Sequence, residues 1–531
     1  MKNIVLNEIK NILGFDVVLE KPKDKNLAHY ASPVAFSLAK EMKKSPKMIA
    51  EELVGKFDKS DIFSEIKAVN GYLNFKLSNS FLNSLVVNAL KHYDNFAKSD
   101  KKDEKILLEY ISANPTGPLH IGHVRGAVYG DTLYRIGTHI GYDITTEYYI
   151  NDAGNQIDLL GTSIILFAKD ELFHENVIYP EKFYRGDYIK DLALMANELF
   201  GKEIFYDEKN FEKLCLWAKD EVLKIIKKDL NDINITIENW ASERSYYDKL
   251  ASTIQKLEKT GSMYEKDSKV WIKSSSLGDE MDRVVIREDG RPTYLAGDIV
   301  YHNDKFERGF DKCINIWGAD HHGYIKRMES AIHFLGYDEK KLEVILMQMV
   351  SLLKDLKPYK MSKRSGNVVL MSEVTEEIGS DALRFIFVSK KNDTQLEFDI
   401  EDIKKQDSSN PIFYINYAHA RINQVFAKAN KSINDVINAD LSNLSEEAKN
   451  LLFEALLLNE VLEDTFSSRQ MQKLSDYLYS LSSHFHKFYN DNRIIGSGNE
   501  DMLLKLCGIV ALCIKTGLSL MGIKAKEKME H

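Results

Sequence analysis

The chain has 531 residues, 44% of them apolar and 28% charged, with a formal net charge of −9. That length holds roughly three to four domains, and the composition is that of a soluble globular protein. The negative total excludes a uniformly basic nucleic-acid binder, so any RNA contact must rest on local basic patches and be salt-sensitive.

Residues 1–100 carry 15 Lys and Arg against 12 Asp and Glu, a net of +3. The start, Met1-Lys2-Asn3-Ile4, lacks a secretory apolar region and cleavage site. Helical periodicity covers Met1–Leu13 and Val34–Lys43, and Ser45-Pro46 opens a third helix through Phe57, with Pro46 suited to the first turn. Ile66–Leu77 alternates as a hairpin about Asn70-Gly71. The segment is therefore a small α/β module, followed by a charged linker, Asp94–Lys105.

Ile106-Leu107-Leu108 through Tyr110-Ile111 reads as a buried parallel strand. Asn114-Pro115 and Gly117-Pro118 punctuate a turn, and Val124–Ile140 reads as a helix with a thin face at Gly126, Ala127 and Gly130. Strand, tight turn and helix N-terminus present backbone N–H groups to a phosphate. His120 and His123, three apart, can face one way there and donate hydrogen bonds to a developing oxyanion. Gly122 leaves room for a ligand against the backbone. Ordinary polar residues at a helix start account for two histidines alone equally well. Ile144–Ile150 reads as a second strand ending in the turn Asn151–Gln156.

Residues 159–289 are mostly helical in pattern, and the α/β pattern resumes near Val284. Pro292–Ile299 leads into a helix, Lys312–Trp317 is a strand, and Gly318–Gly323 is a loop before a helix, Tyr324–Leu335. Adjacent His321 and His322 point apart and have no third ligand at a recognisable spacing, so no zinc is expected. Val344–Leu353 reads as buried core, and no apolar run approaches the length of a membrane span. Lys360-Met361-Ser362-Lys363-Arg364 then places three cations in five residues, either a solvated basic turn or a mobile phosphate clamp. Residues 405–531 read as all helix with a net of −1, which leaves −11 for the middle. Their aromatic stripe, Phe413, Tyr414 and Tyr417 with His419 and Arg421, reads as core. Cys215, Cys313, Cys507 and Cys513 form no Cys-x-x-Cys pair, which argues against disulfides and suits a reducing cytoplasm.

His120-Ile-Gly-His123 and Lys360-Met-Ser-Lys363, in this order and roughly 240 residues apart, resemble the two defining motifs of class I aminoacyl-tRNA synthetases. Other stretches resemble the arginyl-tRNA synthetases in particular. They are Asp24 with His29-Tyr30-Ala31, Gly71–Phe75, Glu147–Ile157, Asp381-Ala-Leu-Arg384, Asn410–Ile422 and Met521-Gly-Ile523. The insertion is too short for a separate editing domain, which weighs against isoleucyl, valyl and leucyl specificity.

The resemblance implies an α/β fold: a Rossmann-like parallel-sheet catalytic domain at 101–404 with a helical insertion at about 159–289. A small N-terminal α/β domain, 1–100, would touch the tRNA elbow, and an all-α domain, 405–531, would bind the anticodon. It implies attachment of L-arginine to tRNA(Arg) through arginyl-adenylate, with ATP consumed and AMP and pyrophosphate released. His120, His123, Lys360 and Lys363 would be catalytic. Thr116, Gly117, Pro118, Leu119, Gly122, Met361 and Ser362 would join the two histidines and Lys363 around ATP. Ser112, Asn114, Glu243, Tyr294, Asp298 and His322 would hold arginine. For Asp298 a helix N-cap is the plainer alternative, and for Glu243 a solvated surface acid. Mg²⁺ is expected with ATP, and the chain is expected to be a cytoplasmic monomer without membrane contact. Three alternatives stay open: a class I synthetase of another specificity, a nucleotidyltransferase sharing the His-x-x-His turn, and a non-catalytic tRNA-binding paralogue.

Overall fold

The computed structural model describes residues 1–24, 26–58, 60–360 and 368–529. The N-terminal module consists of α1 (Lys2–Leu13), β1 (Tyr30–Ser32), α2 (Val34–Met42), α3 (Pro46–Val54), β2 (Phe63–Val69), β3 (Tyr72–Leu77) and α4 (Asn79–Lys91). The Ser45 hydroxyl caps α3 by accepting from the Met48 N–H, with Pro46 in the first turn. Asn70 (φ 52°) and Gly71 (φ 83°) both take left-handed backbone, as a tight two-residue hairpin turn requires.

The catalytic sheet opens with β4 (Lys105–Glu109), followed by α5 (Ile121–His139) and β5 (Asp143–Ile150). The chain then runs through α6 (Asn155–Phe167), α7 (Asp187–Phe200) and α8 (Phe211–Asp232) to β6 (Asn239–Ser242). After α9 (Leu250–Lys259) come β7 (Met263–Lys266), β8 (Lys269–Ile272) and β9 (Arg283–Ile286). α10 (Tyr294–Glu307), β10 (Lys312–Gly318), α11 (Ile325–Phe334) and β11 (Leu342–Met347) complete the second half. The strand order is β11-β10-β4-β5-β6, with every pair parallel. Ile106, Leu107 and Leu108 are buried on both faces of the central strand. The chain leaves β4 toward β5 and β6, then returns to β10 on the opposite side. The strand ends of β4 and β10 therefore form the switch point at which such sheets bind ligands. The thin face of α5 has a packing cause. A Cβ on Gly130 would lie 2.4 Å from the Tyr110 ring, and one on Gly137 2.4 Å from Ile144 and Phe466.

The expectation of a mostly helical stretch at 159–289 is corrected beyond Asp232. There β6 joins the edge of the main sheet, and β7–β9 form a separate antiparallel sheet. Strands of four residues carry too few alternations to stand out as a period. The apolar run Val344–Leu353 also divides. β11 belongs to the main sheet, whereas β12 (Val350–Lys354) pairs with β13 (Lys357–Pro358) and β14 (Leu396–Asp399). α12 (Met371–Ile378), α13 (Ser380–Phe387) and α14 (Ile400–Ile403) lead to the C-terminal bundle.

That bundle contains α15 (Pro411–Ala429), α16 (Ile433–Val436), α17 (Glu446–Leu456), α18 (Leu458–Ser468), α19 (Gln472–Asp491) and α20 (Glu500–Leu520). By length and composition α20 could cross a membrane, which corrects the reading that no apolar run approaches that length. It is mostly buried as the central helix of the bundle. The aromatic stripe is only half core. Phe413, Tyr414 and Tyr417 are half-buried, the last two pack on His486, and the Arg421 guanidinium lies over Tyr417 and Tyr489.

The three parts interlock. The His29 ring packs on Phe453, Tyr30 donates to Glu460, and Lys505 donates to Asn83, joining the N-terminal module to the bundle. Arg384, fully buried on α13, donates to Asp131 on α5 and to the carbonyls of Ile233 and Met521. One guanidinium thus ties the histidine-bearing helix to the insertion and to the C-terminal tail.

Candidate active site

The turn after β4 is strained and held. Ile111 (φ 76°) and Ser112 (φ 38°) both occupy left-handed backbone, which costs about 1–3 kcal/mol for each such residue. The Ser112 hydroxyl donates to Glu109 at 3.0 Å and accepts from the Tyr149 N–H at 3.1 Å. Further along, the Leu119 N–H donates to Asp229 of α8 at 3.1 Å. Burial pushes the Asp229 carboxyl up to about 6. Leu119 itself is buried, so it meets the turn through its backbone.

His120 is the N-cap of α5, and the two histidines form a capping box. The Gly122 N–H donates to His120 Nδ1 at 3.2 Å, and the His120 N–H donates to His123 Nδ1 at 3.3 Å. The rings lie 3.6 Å apart between centroids. Burial lowers both pKa values, that of His123 to about 3 with help from the neighbouring His120. Both imidazoles are therefore neutral at physiological pH. Because each Nδ1 is already an acceptor, each ring carries its proton on Nε2 and can donate it outward. A Cβ on Gly122 would meet the His120 ring at 3.0 Å, so the glycine serves the cap.

His120 and His123 line a cavity of about 320 Å³ together with Asn114, Thr116, Gly117 and Pro118. Its far wall is Phe183–Arg185 and Tyr188 from the insertion, with Val368 and Leu370. The last two lie just beyond the lysine-rich motif. The Ile121 N–H donates to the Val369 carbonyl at 2.9 Å and the Met371 N–H to the Leu119 carbonyl at 3.0 Å. The segment leaving the second motif is thus bridged to the turn carrying the first. Lys360 is exposed, whereas Met361, Ser362 and Lys363 lie outside the described residues.

The other end of the cleft is acidic. Thr293 caps α10 through the Ala296 N–H, so Asp298 is not the cap and sits inside the helix. Its carboxylate accepts from the Tyr324 hydroxyl at 2.5 Å. Glu243 opens the turn after β6 and is buried, which overturns the reading of it as a solvated acid. One of its oxygens lies 2.8 Å from where a Cβ on Gly297 would be, so it rests on α10 beside Asp298. Its other oxygen, Oε2, and the Tyr149 hydroxyl are buried without a hydrogen-bond partner among the described residues. Burial, then the charges of Asp298 and Asp152, push Glu243 up to about 7. Burial pushes Asp298 up to about 6 against the Tyr324 hydrogen bond.

Tyr294, one turn before Asp298, is exposed, and its hydroxyl reaches to 3.2 Å from a Cβ built on Gly154. His322 is exposed on the 3₁₀ turn Ala319–Tyr324, and Asn114 is exposed in the cavity beside the histidines.

A buried scaffold fixes the acids, and sequence reading missed it. His302 Nδ1 bonds the Asp298 carbonyl at 2.7 Å, and Asn315 donates to His302 Nε2 at 2.8 Å. Lys305 pairs with Glu109 and Asn315, and Glu147 takes both Arg308 nitrogens and the Tyr301 hydroxyl. The available signal was a polar stripe, Asp298, His302 and Lys305, at helical spacing along α10. An unpaired carboxylate oxygen beside a second acid suits a cation with several donors, such as a planar guanidinium.

A histidine-bearing turn at the switch point of a parallel sheet, bridged to the segment that follows a lysine-rich motif, with a helical bundle beyond, defines a class I aminoacyl-tRNA synthetase. Residues 85–428 match the sequence model of the class I (R) catalytic domain, residues 1–77 the arginyl-tRNA synthetase N-terminal domain, and residues 415–529 the DALR anticodon-binding domain. The chain belongs to the arginyl-tRNA synthetase, or arginine–tRNA ligase, family. It is 67% identical to the arginine–tRNA ligase of Campylobacter curvus and 62% identical to that of Campylobacter jejuni strain 81-176, over the full length of each chain. The Thermus thermophilus arginyl-tRNA synthetase shares the fold, with a TM-score of 0.78 at 20% identity over all of both chains.

Proposed function

We propose that the cleft at the ends of β4 and β10 carries out the family's reaction, ATP-dependent attachment of L-arginine to tRNA(Arg), with a division of labour between its two ends. ATP occupies the cavity beside the histidines. Thr116, Gly117, Pro118, Leu119 and Gly122 shape the turn around it. The Nε2–H groups of His120 and His123 donate to phosphate oxygens. Lys360 and Lys363 hold the leaving pyrophosphate, with Met361 and Ser362 between them. Arginine lies toward α10, its guanidinium on Glu243 and Asp298. Asn114, positioned by the Ser112 turn, takes the α-amino group, and Tyr294 and His322 flank the substrate.

An arginine carboxylate oxygen attacks the α-phosphorus, the bond to the β-phosphate oxygen breaks, and pyrophosphate leaves. The terminal ribose hydroxyl of the tRNA then attacks the activated carbonyl, and AMP leaves. No protein nucleophile takes part, so catalysis is positioning and charge stabilisation. Mg²⁺ is expected to arrive on ATP. The described residues lining the nucleotide cavity include no carboxylate, so that donor set does not suit a divalent ion, and the phosphates would carry it.

The positive N-terminal domain, 1–100, would meet the tRNA elbow, and the helical domain, 405–531, the anticodon, with the catalytic domain at 101–404 between them. The four free, buried thiols suit a reducing cytoplasm, and the chain is taken to act there as a monomer. Burial pushes Cys215 up to about 12 and Cys313 up to about 11, so neither is a reactive thiolate.

The observation that carries this reading is the unpaired Glu243 oxygen beside Asp298. Asp298→Asn keeps an acceptor for Tyr324 and removes the charge. Arginine KM should rise by about 30- to 4,000-fold, roughly 2–5 kcal/mol, with ATP KM and melting temperature unchanged. An unchanged arginine KM would remove Asp298 from the site.

A further inference from the structure

Neither signature motif supplies the far wall of the nucleotide cavity. Phe183, Tyr184 and Arg185, in the link between α6 and α7, and Tyr188 in the first turn of α7 close that side. Three contacts fix this strap. The Tyr184 N–H donates to Ser163 Oγ on α6 at 2.9 Å, and the Tyr188 hydroxyl donates to the Thr116 carbonyl at 2.8 Å. The Phe183 ring packs on Tyr179 at 4.6 Å between centroids, and the Tyr179 hydroxyl donates to Asp170 at 2.8 Å. The strap is thus bound at one end to the phosphate turn itself.

Arg185 stands at its middle. Its guanidinium lies over the Phe183 ring, 4.3 Å from the centroid, and it is exposed. Among the described residues lining the cavity it is the one cation, and none is a carboxylate. The two histidines are neutral, so they offer donors but no charge to a polyanion. A guanidinium stacked on an aromatic face is held in plane and keeps its edge free for two phosphate oxygens.

We infer that Arg185 is a phosphate-binding residue of the nucleotide site, its guanidinium paired with the triphosphate of ATP. This rests on the reading of the cavity as the ATP site. The strap thereby gives the insertion a direct part in nucleotide binding.

The test is aminoacylation by the full chain at saturating arginine and tRNA, with ATP varied. Arg185→Ala should raise ATP KM by about 10- to 100-fold, the scale of losing a hydrogen bond to a charged partner. Arg185→Lys should recover part of the loss, and Arg185→Glu should lose more. Arginine and tRNA KM values should hold, and so should the melting temperature, because the side chain is exposed. An ATP KM unchanged in both the Ala and Glu variants overturns the inference. A rise confined to tRNA KM also overturns it and assigns Arg185 to the RNA. His123→Ala run alongside separates the readings. Wild-type turnover in that variant means the cavity is not the nucleotide site at all. Impaired turnover there, with normal ATP KM in Arg185→Ala, removes only the arginine.

Discussion

His123 and Glu243 are both largely buried titratable groups in one cleft, and burial disfavours the charged form of each, with opposite consequences. His123 is satisfied without substrate: its Nδ1 accepts from the cap, and its remaining proton points outward. A neutral donor placed this way needs no reorganisation as charge builds on a phosphate. Glu243 is unsatisfied, with one oxygen unpaired and an acid beside it. Its carboxyl, pushed up to about 7, divides between acid and carboxylate near neutral pH, and an arriving cation favours the carboxylate. The nucleotide end is thus preorganised by hydrogen bonds, whereas the arginine end holds a charge imbalance that a guanidinium relieves.

The largest effect that would break this comparison lies at the nucleotide end. His123→Ala should lower kcat by about 10²–10³, the scale of losing one preorganised donor. Steady-state kinetics with arginine, ATP and tRNA all saturating read it directly, and wild-type turnover would remove His123 from catalysis. A smaller effect sharpens the contrast through pH. Glu243 and Asp298, raised to about 7 and about 6, are increasingly protonated below those values and bind a guanidinium poorly there. Arginine KM should fall roughly twentyfold between pH 6 and pH 8 and then level. ATP KM should stay nearly flat over that range, because burial disfavours the charged form of both histidines. An arginine KM independent of pH, or an ATP KM that tracks it, would erase the distinction between the two ends.

What the sequence made legible follows the range of the interactions. The strand, turn and helix around His120 and His123 are local, so apolar run, turn residues and glycines specify them within a few dozen positions. That Tyr294 and Asp298 share a helix was only half legible: Pro292–Ile299 read as leading into a helix, whereas α10 already begins at Tyr294. Glu243 was not, because its burial depends on β6 adding to the edge of a sheet whose central strand lies more than 100 residues earlier. The strap was hidden for a similar reason: Tyr188 meets Thr116 across 72 positions. The interlock through Arg384 joins segments 137 to 253 positions apart. Length and composition identified α20 poorly, since a central bundle helix and a membrane span share both properties.

That the arginine end holds acids of raised pKa, which a guanidinium drives to ionise, is tested most directly by calorimetry. Arginine binding to the full enzyme at pH 6.5, repeated in buffers of different ionisation enthalpy, reads proton exchange. With Glu243 and Asp298 titrating near 7 and 6, binding should release about one proton per arginine, falling toward zero by pH 8.5. No release at pH 6.5 would mean both acids are already ionised in the free enzyme and would contradict the account.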